Sequence, residues 1–128
     1  MTPEELNTLT GHVIEAAMAV HTVLGPRLLE STYEACLAFE LQNRGVSVRT
    51  QVPLPVVYQG QKLEIGYRID LLIAESVIVE VKAVEAIAPV HRAQLLSYLK
   101  LSDRRLGLLL NFNVVHMRDG IIRMVNKF

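Results

Sequence analysis

Between Gly66 and Val84 the chain reads Gly-Tyr-Arg-Ile-Asp-Leu-Leu-Ile-Ala-Glu-Ser-Val-Ile-Val-Glu-Val-Lys-Ala-Val, and few folds accept such a stretch. Two apolar runs flank Ala74-Glu75-Ser76, the pattern of a β-hairpin with a short turn. Side chains alternate across a strand, so Glu80 and Lys82 share a face. Pairing Ile73 with Val77 and continuing inward sets Asp70 opposite Glu80. Directly opposed side chains have Cβ atoms roughly 4.5–5.5 Å apart, and like charges at that distance repel. Leu71, Ile73, Val79 and Val81 fall on one face, with Leu72, Ile78 and Val84 on the other beside the charges. A sheet that is apolar on both faces is buried on both. Two carboxylates there call for a cation between them, and a hard divalent ion such as Mg²⁺ takes oxygen ligands of this kind. The alternative is a half-exposed sheet, with both carboxylates in solvent and Lys82 as a surface ion-pair partner.

The rest of the chain supplies elements to cover that hairpin. Thr2-Pro3-Glu4-Glu5 predicts a helix start, with Thr2 as cap, Pro3 in the first turn and Glu5 closing a capping box. Leu6, Leu9, Val13, Ala17, Val20 and Leu24 recur at helical spacing, and Gly25-Pro26 ends the helix. A second helix is expected from about Leu28 to Arg44, with Gly45 as its C-cap. In that helix Glu30 shares a stripe with Tyr33, Leu37 and Leu41. The opposite side carries Leu28, Ala35 and Phe39, which predicts packing on two sides. Glu30 could serve a site, or bond an N–H of its own first turn.

Val46 to Tyr58 reads as a strand interrupted by Pro53 and Pro55, Gln59-Gly60-Gln61 as a turn, and Lys62 to Ala74 as the next strand. Pro89 opens a helix to about Leu101, on which Gln94 and Tyr98 lie one turn apart. Read alone, Gln94 is a surface residue and Tyr98 fills core. Arg104 to Asn111 is a further buried strand. Val114–Met117 and Ile121–Val125, around Arg118-Asp119-Gly120, suggest a closing hairpin. This order predicts one α/β domain over residues 1–128, a mixed β-sheet flanked by helices.

Charge narrows the classes of partner. The chain carries 13 basic and 13 acidic residues, against a strong general nucleic-acid clamp. Residues 1–76 hold five Lys/Arg and nine Asp/Glu, whereas residues 77–128 hold eight and four. A modest basic surface could come from Arg92, Lys100, Arg104, Arg105, Arg118, Arg123 and Lys127, or these could be scattered solvated charges. No apolar run reaches the ~18 residues of a membrane span, so no membrane role is expected. The N-terminus lacks signal-peptide features, and the single Cys36 cannot form an internal disulfide. Both readings favour a reducing cytoplasm. His12, His91 and His116 show no ligand spacing with one another, and there is no cysteine–histidine cluster for zinc.

Asp70 followed ten residues later by Glu80-Val81-Lys82 resembles the D…(D/E)-x-K signature of the PD-(D/E)XK nuclease superfamily. Gly25-Pro-Arg-Leu-Leu-Glu-Ser-Thr-Tyr33, Tyr67-Arg-Ile-Asp-Leu71, Pro89-Val-His-Arg-Ala-Gln-Leu-Leu-Ser-Tyr-Leu99 and Leu106-Gly-Leu-Leu-Leu-Asn-Phe-Asn113 resemble the small GxxExxY proteins of that superfamily. The likeness runs from about Val20 to Val125 and implies a restriction-endonuclease-like αβββαβ core. It also implies a metal-dependent nuclease acting on nucleic acid, with DNA as the expected polymer. Asp70, Glu80 and the Val81 carbonyl would hold Mg²⁺ or Mn²⁺, with Glu30 in or beside the metal site. Some RecB-type relatives place a histidine ligand upstream of the aspartate, and His21 is its candidate. Gln94 and Tyr98 match a Gln-x-x-x-Tyr motif in which the glutamine orients the site and the tyrosine helps to hold nucleic acid. Arg68 is a second candidate for substrate binding.

Lys82 would position or deprotonate the attacking water, or stabilise developing charge. At an unperturbed pKa of about 10.4 a lysine is a poor base, so electrostatic support is the expected role. Two departures stand out: Ile69 replaces the proline of the signature, and Arg27 stands where the GxxExxY proteins usually have glycine. With no appended DNA-binding domain, nucleic acid would be held weakly by one copy, and a homodimer or protein partner could add contacts. The alternative is a catalytically weak or inactive module that binds nucleic acid or a protein.

Overall fold

A computed structural model describes all 128 residues. The first helix, α1 (Pro3–Leu24), starts with the expected capping box, in which Thr2 Oγ1 accepts from the Glu5 N–H and Glu5 accepts from the Thr2 N–H. α2 (Glu30–Asn43) begins two residues later than expected, because Leu28 and Leu29 stay outside the helix and Leu29 is its N-cap. Its end is the predicted glycine stop. Gly45, at φ +79°, donates to the Gln42 carbonyl, and the Val46 N–H reaches Leu41. That paired arrangement closes the last turn.

The strands follow as β1 (Val48–Pro53), β2 (Val56–Tyr58), β3 (Gln61–Leu63), β4 (Arg68–Ile73) and β5 (Val77–Lys82). Then come α3 (Pro89–Ser102), β6 (Leu106–Asn111), a 3-10 turn (Met117–Gly120) and β7 (Ile121–Val125). The main sheet has the order β1-β4-β5-β6-β7; β5 and β6 are parallel, joined through α3, and the other neighbours are antiparallel. No helix is long and apolar enough to cross a membrane.

The sheet is buried on both faces, as the hairpin's composition requires. On one face Leu71, Ile73, Val77, Val79, Val81, Leu106, Leu108 and Leu110 pack beneath α1 and α2. On the other, Leu72, Ile78 and Leu109 meet Leu95, Tyr98 and Leu99 of α3. Gly107 lets α3 approach closely, since a Cβ there would lie 2.9 Å from Leu95 Cδ1.

Three expectations are corrected. The long strands over 46–58 and 62–74 are each broken in two, at Leu54-Pro55 and across Glu64–Tyr67, where Gly66 adopts φ +101°. The pieces β2 and β3 pair only with each other and form a separate two-stranded arm. Val114–Met117 is not a strand; β7 pairs with β6, and the 3-10 turn makes the connection. Finally, α2 packs on one side: Tyr33, Leu37, Ala38 and Leu41 are buried, whereas Phe39 is 65% exposed.

The loop between α1 and α2 is organised by Tyr33. Its buried ring stacks on Phe112, with centroids 4.6 Å apart, and its hydroxyl donates to the Gly25 carbonyl and accepts from the Leu28 N–H. Within this loop Arg27 has φ +76°, a region that costs an L-residue roughly 1–2 kcal/mol. The glycine usual in the resembling proteins would carry no such strain. Arg27→Gly is therefore expected to stabilise the fold by about 0.5–1 kcal/mol, after allowing for the freer unfolded chain. Urea unfolding should show a higher midpoint at unchanged slope.

Candidate active site

The hairpin keeps the expected register, Ile73 to Val77, Leu72 to Ile78 and Leu71 to Val79, and then its ladder stops. One step further, at Asp70 and Glu80, side chains replace the backbone bonds. The Asp70 N–H donates to Glu80 Oε2 at 2.8 Å, and the Val81 N–H donates to Asp70 Oδ2 at 2.9 Å. Each carboxylate thus satisfies a backbone donor of the opposite strand, and both are held in place where the strands part. This notch in the middle of the sheet is what two opposed like charges impose on a hairpin that is otherwise apolar.

Further acidic groups approach the notch from α2. Glu30 is exposed at the first position of the helix, and it accepts from the Ala83 N–H, just past β5, at 3.1 Å. Its partner is therefore the site strand and not its own first turn. Glu34, one helical turn on, was not singled out by sequence. It accepts from Gln51 Nε2 at 2.8 Å, and the same amide nitrogen reaches Asp70 Oδ1 at 3.4 Å. The i, i+4 spacing from Glu30 is the signal that could have found it. Gln51 carried no signal, since it stands in a strand at φ +51°.

The electrostatics follow from this crowding. Burial, followed by the Asp70 charge, pushes Glu80 up to about 8. Burial likewise raises Asp70 above the ordinary aspartate range, against the Val81 hydrogen bond and the Lys82 charge. Glu34 is raised by burial and then by Asp70. Lys82 is the cation that favours ionisation of both hairpin carboxylates. Negative charge is in excess, and the oxygens are hard donors.

Such a set suits a divalent cation. No three of these side chains form a metal-binding group as they stand, and Asp70 Oδ2 and Glu80 Oε2 each accept from a backbone N–H. Glu80 Oε1 lies outside those bonds, Asp70 Oδ1 has the long Gln51 contact, and the Asp70 carboxyl also meets that of Glu34. The chemistry of the residues fits a metal of this class.

On the α3 side, Gln94 Nε2 donates to Tyr98 Oη at 3.3 Å. Tyr98 is buried, and its hydroxyl is pushed up by burial and then by the Glu80 and Asp70 charges. Tyr98 packs in the buried cluster that includes Ile69, the residue before Asp70, so the Gln-x-x-x-Tyr pair lies on the α3 face of the hairpin. Two candidates do not join the notch. His21 makes no hydrogen bond to any of these carboxylates; Nε2 meets the Val114 carbonyl at 2.7 Å, and the ring lies 6.5 Å from that of Phe112. That bond ties the end of α1 to the segment after β6, a structural role. Arg68 is exposed at the start of β4, opposite Pro53, and forms no ion pair.

No curated protein and no solved structure matches the chain. The family model described as the PD-(D/E)XK nuclease superfamily does match, over residues 7–124, from the second turn of α1 into β7. That span takes in the whole notch, and the chain belongs to this superfamily.

Proposed function

We propose that the protein is a divalent-metal-dependent nuclease that hydrolyses phosphodiester bonds at the notch, with DNA as the expected polymer. The observation that carries this reading is the reciprocal bonding of Asp70 and Glu80 across the parted strands, with Lys82 next along the same strand face. Members of the superfamily are generally dependent on divalent metals. Asp70, Glu80 and the Val81 carbonyl would hold Mg²⁺ or Mn²⁺, with Glu30 alongside, and the ion would polarise a phosphoryl oxygen and offset charge developing there. Glu34 adds negative charge at the rim. Lys82 supports the developing negative charge and orients the attacking water. Gln94 orients the Tyr98 hydroxyl, and Tyr98 would help to hold the nucleic acid.

Within the superfamily, the segment from Gly25 to Tyr33 favours placement with the GxxExxY proteins, Arg27 notwithstanding. A half-buried free Cys36 suits a reducing cytoplasm. With a formal net charge of zero, a second copy or a protein partner would add to the grip on nucleic acid.

The test is cleavage of labelled single- and double-stranded DNA and RNA in Mg²⁺, Mn²⁺ or EDTA. Lys82→Ala and Asp70→Ala run beside the parent. Cleavage that needs metal and falls at least about a hundredfold in both variants is the expected result. Equal cleavage by all three proteins, or none by the parent, overturns the reading.

A further inference from the structure

The two-stranded arm, β2 with β3, leaves Val57, Tyr58, Leu63, Ile65 and Tyr67 between 43% and 64% exposed. Tyr67 ends this patch, just before β4 and three residues ahead of Asp70. Its ring centroid lies 6.0 Å from that of Tyr98, inclined at 58°, and Tyr98 in turn packs in the buried cluster with Ile69, the residue before Asp70. The backbone beneath Tyr67 is fixed, because its carbonyl accepts from the N–H of buried Leu54 at 2.9 Å. A 43% exposed aromatic ring on an anchored backbone therefore lies against Tyr98, on the face of the hairpin that α3 covers.

We infer that Tyr67 is a stacking platform for an unpaired base, and that the substrate strand reaches the notch single-stranded or locally unwound. This rests on the nuclease reading above and names its substrate class. Charge favours the choice. The notch gathers Glu30, Glu34, Asp70 and Glu80 with Lys82 two residues beyond Glu80, and Lys62 and Arg68 are the cations on and beside the arm. Phosphate contacts alone would hold a duplex poorly here. Stacking on an aromatic ring tolerates any sequence and needs no phosphate contact, and it requires a base out of its pair. The exposed apolar residues of the arm extend the surface over which neighbouring bases would lie.

The experiment uses the Lys82→Ala background in Mg²⁺, where the strand stays intact, so binding is read apart from cleavage. Oligonucleotides of DNA and of RNA carry 2-aminopurine, as single strands and as duplexes of the same sequence. Adding Tyr67→Ala is expected to weaken single-strand binding about 5- to 100-fold and to abolish the fluorescence quenching that marks stacking. Tyr67→Phe keeps both. Duplex binding is weaker than single-strand binding and falls more steeply with salt. The inference is overturned if Tyr67→Ala binds single strands as tightly as its parent, if duplex is preferred, or if neither polymer binds. Parent cleavage in the preceding assay, with any of these results, leaves the nuclease reading standing while this one fails.

Discussion

Glu80→Gln protein in EDTA at pH 8 is expected to melt roughly 5–10 °C above the parent, and to have lost metal-dependent cleavage. Glu80 is buried and is pushed from an ordinary 4.5 to about 8, first by desolvation and then by Asp70. An acid raised in this way binds its proton more tightly when folded than when unfolded. Its contribution to stability is fully present below about pH 4.5 and is lost as the pH rises through about 8. The linkage amounts to a loss on the order of 3 kcal/mol between pH 5 and pH 8. Asp70 and Glu34 are raised too and add to it in the same direction. Glutamine keeps an oxygen for the Asp70 N–H, offers an amide toward the Asp70 carboxylate, and carries no charge. Melting curves from pH 5.5 to 8.5 separate the terms: the parent falls with pH, and the variant falls much less. Added Mg²⁺ should flatten the parent's curve and leave the variant unmoved. If parent and variant fall in parallel, the buried charge at Glu80 is not the cause.

The same crowding explains why parts of the site were legible in the chain and others were not. Asp70, Glu80 and Lys82 interrupt apolar strands, so their presence announces a cost that something must offset. Their register followed from the turn, where Ala74 and Glu75 take the left-handed conformations, at φ +49° and +56°, that close a tight hairpin. Alternation could not show that the ladder opens at Asp70, because that depends on side-chain oxygens capturing N–H groups of the opposite strand. Gln51 belongs to an edge strand, where polar residues are ordinary, so nothing local marked it, and Glu34 was marked only by its i, i+4 spacing from Glu30. Tyr67 was hidden in a run expected to be one strand. Gly66 and the isolated β2–β3 pairing turn that run into an arm and bring the ring to Tyr98. His21 shows the limit of resemblance: a motif can nominate a ligand from its place in the chain, but only packing shows that its Nε2 meets the Val114 carbonyl.

Gly120→Ala tests how firmly the end of the sheet is built. An added Cβ would lie 2.0 Å from the carbonyl oxygen of Asn111 and 3.2 Å from Val114 Cγ2. The first contact is with backbone, so no side-chain rotation relieves it. Asn111 cannot yield freely, since it is buried at the last position of β6, where its amide donates to the Val84 carbonyl and accepts from the Val84 N–H. That clasp holds the segment just after β5, whose Ala83 N–H meets Glu30. Forcing the strand outward is expected to cost about 3 kcal/mol or more and to loosen the carboxylate notch as well. Gly11→Ala is the matched control: it lies within α1 with nothing within 4 Å of an added Cβ, and is expected to gain about 0.5–1 kcal/mol from helix propensity. Denaturant melts of the two variants should move in opposite directions from the parent. A Gly120→Ala protein as stable as the parent would mean that β6 and the 3-10 turn can slide apart, and that Asn111 does not pin the end of β5.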